Sequence, residues 1–517
     1  MKMRFFAFFM AAILCFGCIA FVACDFSQPE AESSEESSTP ETPETPDDGG
    51  ESQQQQKPDD NEQKPDTPVV KEEGYDGSEV TVVFYHTMGQ NLREVLDLYI
   101  EEFNLLYPNI TIQHEQVGGY DDVRNQISTE ITVGNQPNIA YCYPDHVATY
   151  NISKAVYPLD SLIASMAEVT RADGTTERMG LTQRQINDFI PGYYNEGKQF
   201  GDGKMYTLPL SKSTEVLYYN ETAFSNWAKL YAETGDEKYN IKVPTTWDEM
   251  EETCAKIKAL DPDCIPLGYD SESNWFITMC EQLGTPYTSA TGEHFLFNTE
   301  ENRNFVKRFR SWYEKGYITT QELYGAYTSG LFVAKDGEQR SYMSIGSSAG
   351  ATHQRPAKEN GAYPFNVGIA TIPQVNPSDP KVISQGPSLC IFDKANKQEV
   401  YASWLFMKFL TTTIEFQADF SMASGYVPVL KSVATNETYA EWLVVADGGD
   451  GIAALSAKIC LEQVDAYYTS PAFNGSSVAR DQVGLLISDC LTATTDDVDA
   501  MINQKFEEAV EKCKYLS

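Results

Sequence analysis

Apolar and polar positions change period several times along the chain. Val80-Thr81-Val82-Val83-Phe84-Tyr85-His86 is a β-branched and aromatic run of the kind that forms a buried strand. Leu92, Val95, Leu96, Tyr99, Ile100, Phe103 and Leu106 then recur at three- and four-residue steps, which predicts a helix with one apolar face that Pro108 stops. Asn109 to Glu115 reads as a second strand. Strand, helix and strand in that order predict a βαβ unit and an α/β architecture. Further on, Thr246-Trp247-Asp248-Glu249 has the cap residue and acidic first turn of a helix start. No fixed-period repeat is visible.

The first 79 residues differ from the rest. Phe5 to Val22 is an unbroken apolar run behind the basic start Met1-Lys2-Met3-Arg4, with the small residue Ala23 where cleavage is expected. Residues 1–23 therefore read as a signal peptide, although the run is near the length of an uncleaved membrane anchor. Phe21-Val22-Ala23-Cys24 resembles a bacterial lipobox, which implies lipid on the Cys24 thiol. Residues 25–79 carry 18 acidic residues against three lysines and are rich in Pro, Ser and Gln. Such a stretch buries too little apolar surface to offset its ordering entropy, so residues 24–79 are expected to be an anchor followed by a disordered acidic tether. The expected location is the outer face of the cytoplasmic membrane or the periplasm.

Composition narrows the possibilities for the remaining residues, which hold 33 basic against 57 acidic side chains. Phosphate backbones are bound by clustered Lys and Arg, so nucleic acid is not an expected partner, and the strong negative charge favours a soluble monomer. With 42% hydrophobic residues in 517, there is material for two or three domain cores. Eight cysteines follow Cys24, an even number that permits disulfides but forms no recognisable framework.

Sets of residues with catalytic spacing are scarce. Gly346-Ser347-Ser348-Ala349-Gly350 fits the G-x-S-x-G nucleophile pattern, but the only histidine after Ser348 is His353, five residues on, too near to be the third member of a triad. The pattern is better read as a small-residue loop. The five histidines form no H-E-x-x-H and no sequence-adjacent pair, and no phosphate-loop or dinucleotide motif is present, so no metal or cofactor is expected. Asp121, Asp122, Asp145, Glu215, Asp248 and Glu249 are each candidates for glycosidase carboxylates, yet that chemistry needs a defined separation that sequence does not give.

Several segments, in order, carry a family likeness. Gly203 to Leu210 followed by Ser211-Lys212-Ser213-Thr214-Glu215-Val216-Leu217-Tyr218-Tyr219-Asn220, then Val243-Pro244-Thr245-Thr246-Trp247-Asp248-Glu249-Met250, then Ala402 to Leu410 with Ser424-Gly425-Tyr426-Val427-Pro428, resemble the extracellular solute-binding proteins of carbohydrate ABC importers. Within that family, Tyr85-His86-Thr87-Met88, Gly119-Tyr120 and Gly192-Tyr193-Tyr194 are similar to landmarks of the glycerol-3-phosphate-binding members. The resemblance implies a two-lobed periplasmic-binding-protein-like fold of type II, with residues 80–209 and 386–427 in one lobe and 210–385 and 428–517 in the other. It also implies hinge closure on a ligand in the cleft between lobes and docking on ABC permease subunits.

Ligand contacts implied by the resemblance fall on Tyr120, Ser213, Trp247, Ser347 or Ser348, Gly386, Tyr426 and Arg480. A glutamate that the pattern has after Tyr143 is replaced by Pro144, with Asp145 displaced by one position. These residue types suit a sugar or a glycerol phosphate: aromatic rings for C–H faces, hydroxyls and carboxylates for polyol groups, and a guanidinium for phosphate. Each also has a structural alternative, with Trp247 as a core anchor, Tyr426 as a packing residue and Arg480 as half of a surface ion pair. Two other functions are compatible with the sequence, an extracellular glycan-active enzyme and a surface adhesion lipoprotein.

Overall fold

The computed structural model describes residues 73–516. The signal segment, the lipidation position Cys24 and the tether up to residue 72 lie outside the described residues. The folded part begins before the expected boundary at residue 79. Tyr75 is buried against Tyr107 with ring centroids 6.4 Å apart, and the Asp76 N–H donates to Gln398 Oε1 at 2.9 Å.

The βαβ unit is present as expected. Strand Val80–His86 runs parallel to Ile110–Gln116, with Val80 opposite Ile110, and helix Gln90–Leu106 connects them. That helix buries Leu96, Tyr99, Ile100 and Phe103, the middle of the periodic stripe, and ends where the Tyr107 N–H donates to the Phe103 carbonyl, one residue before Pro108. The first sheet continues from Val80–His86 through Ile139–Cys142 to the antiparallel strand Ser388–Ile391 and then to Leu208–Pro209. Helix Lys397–Thr412 covers it, and Phe406 packs on Phe103 at 5.1 Å and on Phe84 at 6.3 Å.

The second sheet orders Val367–Thr371, Glu215–Asn220, Met343–Ser347, Leu267–Tyr269 and Ile318–Thr320. One face meets a separate core in which Trp275 and Phe309 stack with centroids 3.6 Å apart, closed by helices Ser476–Thr492 and Val498–Leu516. Two sheets, each with its own helices, make two α/β lobes. The expected division at residue 427 is displaced, because Leu430 bridges to Phe189 and the Ser432 N–H donates to Asp188 at 3.0 Å, so this stretch packs on the first lobe. The family resemblance implied a lobe change at that point, but Leu430 and Val433 share a buried cluster with Phe416 and Phe420 of helix Ile414–Ser424, which holds the segment where it emerges.

Three strands of chain connect the lobes and are stitched to one another. Lys212 and Val427 exchange N–H···O bonds of 3.0 and 2.7 Å, and Ser213 and Gln385 do so at 2.9 and 2.8 Å. At Gly386 the backbone adopts φ +95°, and a Cβ there would sit 2.7 Å from the Ser211 carbonyl oxygen, so no larger residue fits this approach. The Lys212 ammonium is fully buried, paired with Glu196 and donating to Ser388 Oγ at 3.1 Å and to the Gly386 carbonyl at 3.3 Å.

The eight cysteines from Cys142 to Cys513 are buried free thiols, so the bridges that their number permits are not formed. Among the described residues no helix is long and apolar enough to cross a membrane.

Removing one partner of a buried ion pair leaves an uncompensated charge. Glu196→Ala is therefore expected to lower the unfolding free energy by about 3–5 kcal/mol, and Glu196→Leu combined with Lys212→Met to recover most of the loss. Urea denaturation followed by tryptophan fluorescence reads both, and a single variant as stable as the parent would refute this role.

Candidate functional site

Between the lobes, beside the crossings, lies a cleft of about 620 Å³. The first lobe contributes aromatic rings. Tyr120 opens helix Tyr120–Ile131, Tyr143 precedes helix Pro144–Tyr150, and their centroids are 4.5 Å apart. Tyr426 reaches the same wall from the third crossing, where Gly425 ends helix Ile414–Ser424 at φ +74° and turns the chain toward the cleft.

The second lobe contributes polar and charged groups. Glu215 begins the strand that leaves the hinge, Asp270 follows strand Leu267–Tyr269, Asn274 lies in the first turn of helix Glu272–Leu283, and Arg480 projects from helix Ser476–Thr492. These groups are linked. Arg480 Nη2 donates to Asn274 Oδ1, Asn274 Nδ2 donates to Glu215 Oε1 at 3.0 Å, and the Tyr269 hydroxyl donates to Glu215 Oε2 at 2.7 Å. Burial pushes the Glu215 carboxyl up to about 7, even though Tyr269, Asn274 and Arg480 all favour its ionised form. Asp270 is also raised by burial, which its bonds from the Thr328 N–H and hydroxyl only partly offset.

A smaller chamber of about 80 Å³ adjoins the cleft and shares Tyr143, Gln385 and Arg480 with it. Asp145 lines this chamber, and its Oδ2 accepts from the Ser477 hydroxyl at 2.9 Å, a bond that ties the first lobe to helix Ser476–Thr492 of the second. Burial alone would raise Asp145, but His146, Arg480 and the Ser477 hydroxyl together hold it below the ordinary carboxylate value. The lobes also meet where the Ala472 N–H donates to the Gln199 carbonyl at 3.0 Å.

Of the residues expected from sequence, Tyr120, Ser213, Ser347, Tyr426 and Arg480 line the cleft and Asp145 lines the chamber beside it. Gly386 and Ser348 belong to the hinge. Ser348 exchanges backbone and side-chain bonds with Thr214, its N–H donating to the Thr214 carbonyl at 2.7 Å and its Oγ accepting from the Thr214 N–H at 3.1 Å. Trp247 is in neither place. It is the first residue of helix Trp247–Leu260, its ring is buried near Trp275 and Phe309, and its Nε1–H donates to Gln282 Oε1 at 2.8 Å. The expected helix cap at Thr246 is formed, with Oγ1 accepting from the Glu249 N–H. That same helix geometry turns the indole into the core.

The other glycosidase candidates have local roles. Asp122 caps the Gly119 N–H, Asp121 pairs with Arg124, Asp248 pairs with Arg308, and Glu249 caps Thr245 and Thr246. The fold also brings together two histidines far apart in sequence. His86 and His114 share a 2.8 Å bond, and His114 bonds Asp97 at 2.8 Å. Burial pushes His86 down to about 3, which marks it as a neutral core group, and no cluster of three metal-ligating side chains occurs among the described residues. Residues that sequence reasoning left outside the ligand set include Asp270, Asn274 and Tyr327. Glu215 had one available signal, a carboxylate at the head of an otherwise apolar strand directly after a lobe crossing.

Two lobes, a hinge of three crossings and a tyrosine-walled polar cleft define a solute receptor. The sequence model of the bacterial extracellular solute-binding proteins matches residues 99–446, and the chain belongs to that family. Its function is that of a solute-binding protein of an ABC importer, which captures a solute outside and delivers it to a membrane permease. It is similar to the sn-glycerol-3-phosphate-binding periplasmic protein UgpB of Escherichia coli K12, 24% identical over 366 residues that cover 68% of this chain and 75% of that protein. The Salmonella typhimurium counterpart is 25% identical over 363 residues, covering 68% and 74%. Among solved structures, UgpB of Mycobacterium tuberculosis in complex with glycerophosphocholine superposes with a TM-score of 0.63 at 16% identity, covering 84% of this chain and 98% of that one. The GacH receptor of Streptomyces glaucescens superposes with a TM-score of 0.61 at 15% identity, covering 83% and 98%.

Because the Trp247 ring is a core residue, Trp247→Ala is expected to cost about 3–5 kcal/mol of stability. Trp247→Phe, which keeps most of the ring volume, should lower the melting temperature with no change in affinity for the cleft's ligand. Calorimetric melting and titration together check this, and a selective loss of affinity would return Trp247 to the site.

Proposed function

We propose that the cleft captures a phosphate ester of glycerol or a related polyol. The observation that carries this reading is the position of Arg480, whose guanidinium projects from a helix into a cleft walled on the opposite lobe by Tyr120, Tyr143 and Tyr426. A guanidinium has five N–H donors, and the bond to Asn274 leaves others to grip two oxygens of one phosphate. The tyrosine rings offer faces to C–H groups and hydroxyls to polyol oxygens. UgpB of Escherichia coli is named for glycerol-3-phosphate, and UgpB of Mycobacterium tuberculosis is described with glycerophosphocholine, which supports the same ligand class here.

A neutral oligosaccharide is the second reading. Glu215 and Asp270 in the cleft favour hydroxyl ligands, and the GacH receptor is described with acarbose. In either case the ligand touches both lobes, so the closed arrangement gains binding energy that the open one lacks and its population rises. The chain acts as a binding protein without turnover, tethered as a monomer through lipid on Cys24.

Isothermal titration with sn-glycerol-3-phosphate, glycerophosphocholine and maltotriose, followed by analysis of the recovered ligands, tests this reading. Binding of a phosphate ester is expected, recovered unchanged, with Arg480→Ala weakening it by about ten- to a hundredfold, the worth of a hydrogen bond to a charged group. Binding of maltotriose alone, unaffected by Arg480→Ala, would overturn the phosphate assignment. Cleavage of any of the three ligands would overturn the receptor reading.

A further inference from the structure

Among the described residues that line the cleft, Arg480 is the only lysine or arginine, and it shares the cleft with the buried Glu215 and the half-buried Asp270. Asp270 takes its hydrogen bonds from its own neighbourhood. Its Oδ1 accepts from the Thr328 N–H at 2.6 Å and hydroxyl at 2.7 Å, and Oδ2 accepts from Gln354 at 3.5 Å. Glu215 is different, because its carboxylate is one amide away from the guanidinium, through Asn274. An anion arriving at Arg480 thus competes with the acid behind it whenever that acid is ionised.

We propose that Glu215 sets the charge of the ligand this cleft accepts: an anionic ligand binds at Arg480 together with one proton, which is taken up on the Glu215 carboxyl. The inference rests on the phosphate-ester reading above. Protonation removes the competing negative charge and converts one carboxyl oxygen into a donor at the cleft surface, where an anionic oxygen of the ligand accepts it. The proton comes from solvent and no covalent bond changes.

The surroundings of Glu215 fit this role on every side. Tyr269 and Asp270 face it from strand Leu267–Tyr269 and the residue after it, Asn274 from helix Glu272–Leu283, Arg480 from helix Ser476–Thr492, and Tyr468 from strand Tyr467–Tyr468. Ser347 is its backbone partner on the neighbouring strand, and His353 lines the same cleft. Tyr269, Asn274 and Arg480 favour the ionised acid, while burial and Asp270 oppose it, which leaves the carboxyl at about 7 in the free protein. The sign follows. Below that value Glu215 is already protonated and affinity is level with pH, whereas above it each bound anion must bring a proton and affinity falls by up to about tenfold per pH unit.

The probe is glycerophosphoglycerol, a phosphodiester whose single negative charge does not change near neutrality, titrated calorimetrically from about pH 6 to about pH 9 in buffers of different ionisation heat. The expected result is a level affinity followed by the fall described, with proton uptake rising toward one per ligand. Glu215→Gln should abolish both the slope and the uptake. Tyr269→Phe removes a donor to the carboxylate, so the bend should move to higher pH, a shift that a purely structural role would not produce. Binding of the phosphodiester with no pH dependence, or a slope that persists in Glu215→Gln, overturns this inference and leaves the phosphate reading intact. Binding of maltotriose with no phosphodiester binding at any pH overturns both.

Discussion

The buried ion pair between Lys212 and Glu196 is the constraint on which the rest of the molecule depends. A lysine ammonium without exposure is tolerated only when every donor has an acceptor. Here Glu196, Ser388 Oγ and the Gly386 carbonyl supply them. Those partners come from the first lobe and from the second crossing, so one side chain on the first crossing fixes two of the three connecting segments in register. The third is held by backbone bonds between Lys212 and Val427. Ser213 and Glu215 leave this knot toward the second lobe and Tyr426 enters it from the first, so the walls of the cleft are aligned by the hinge itself.

Around that knot the division of labour between lobes is chemical as well as geometric. The first lobe presents rings, and the second presents an arginine, an amide and carboxylates. A ligand with one apolar flank and one charged or hydroxylated flank is complementary to the two walls taken together. The Asp145 to Ser477 bond lies beside this junction, and it makes the contact between lobes partly a matter of side chains that a ligand can reinforce.

Legibility from sequence followed the range of the interaction. Val80–His86 and Gln90–Leu106 were readable because burial on one face imposes a period that neighbouring residues record. Strand Ser388–Ile391, which inserts antiparallel between Ile139–Cys142 and Leu208–Pro209, left no such trace, since both partners are remote from it in sequence. In the site, Tyr120, Ser213, Ser347, Tyr426 and Arg480 were found through family likeness rather than local pattern, and they do meet at one cleft. Trp247 was misplaced for a physical reason: the helix start was recognised, but which face of the first turn meets the core depends on Trp275 and Phe309. Glu215 was visible as an acid and invisible as a partner of Arg480, because an amide from a third element joins them.

The eight buried thiols have an effect of their own. Burial pushes Cys254 and Cys280 well up, and Cys264, Cys490 and Cys513 to about 12, so almost none of these five is present as the reactive thiolate at neutral pH. They serve as small apolar fillers in both lobes. Among the described residues, then, both lobes close their cores by packing alone, with no disulfide linking one element to another.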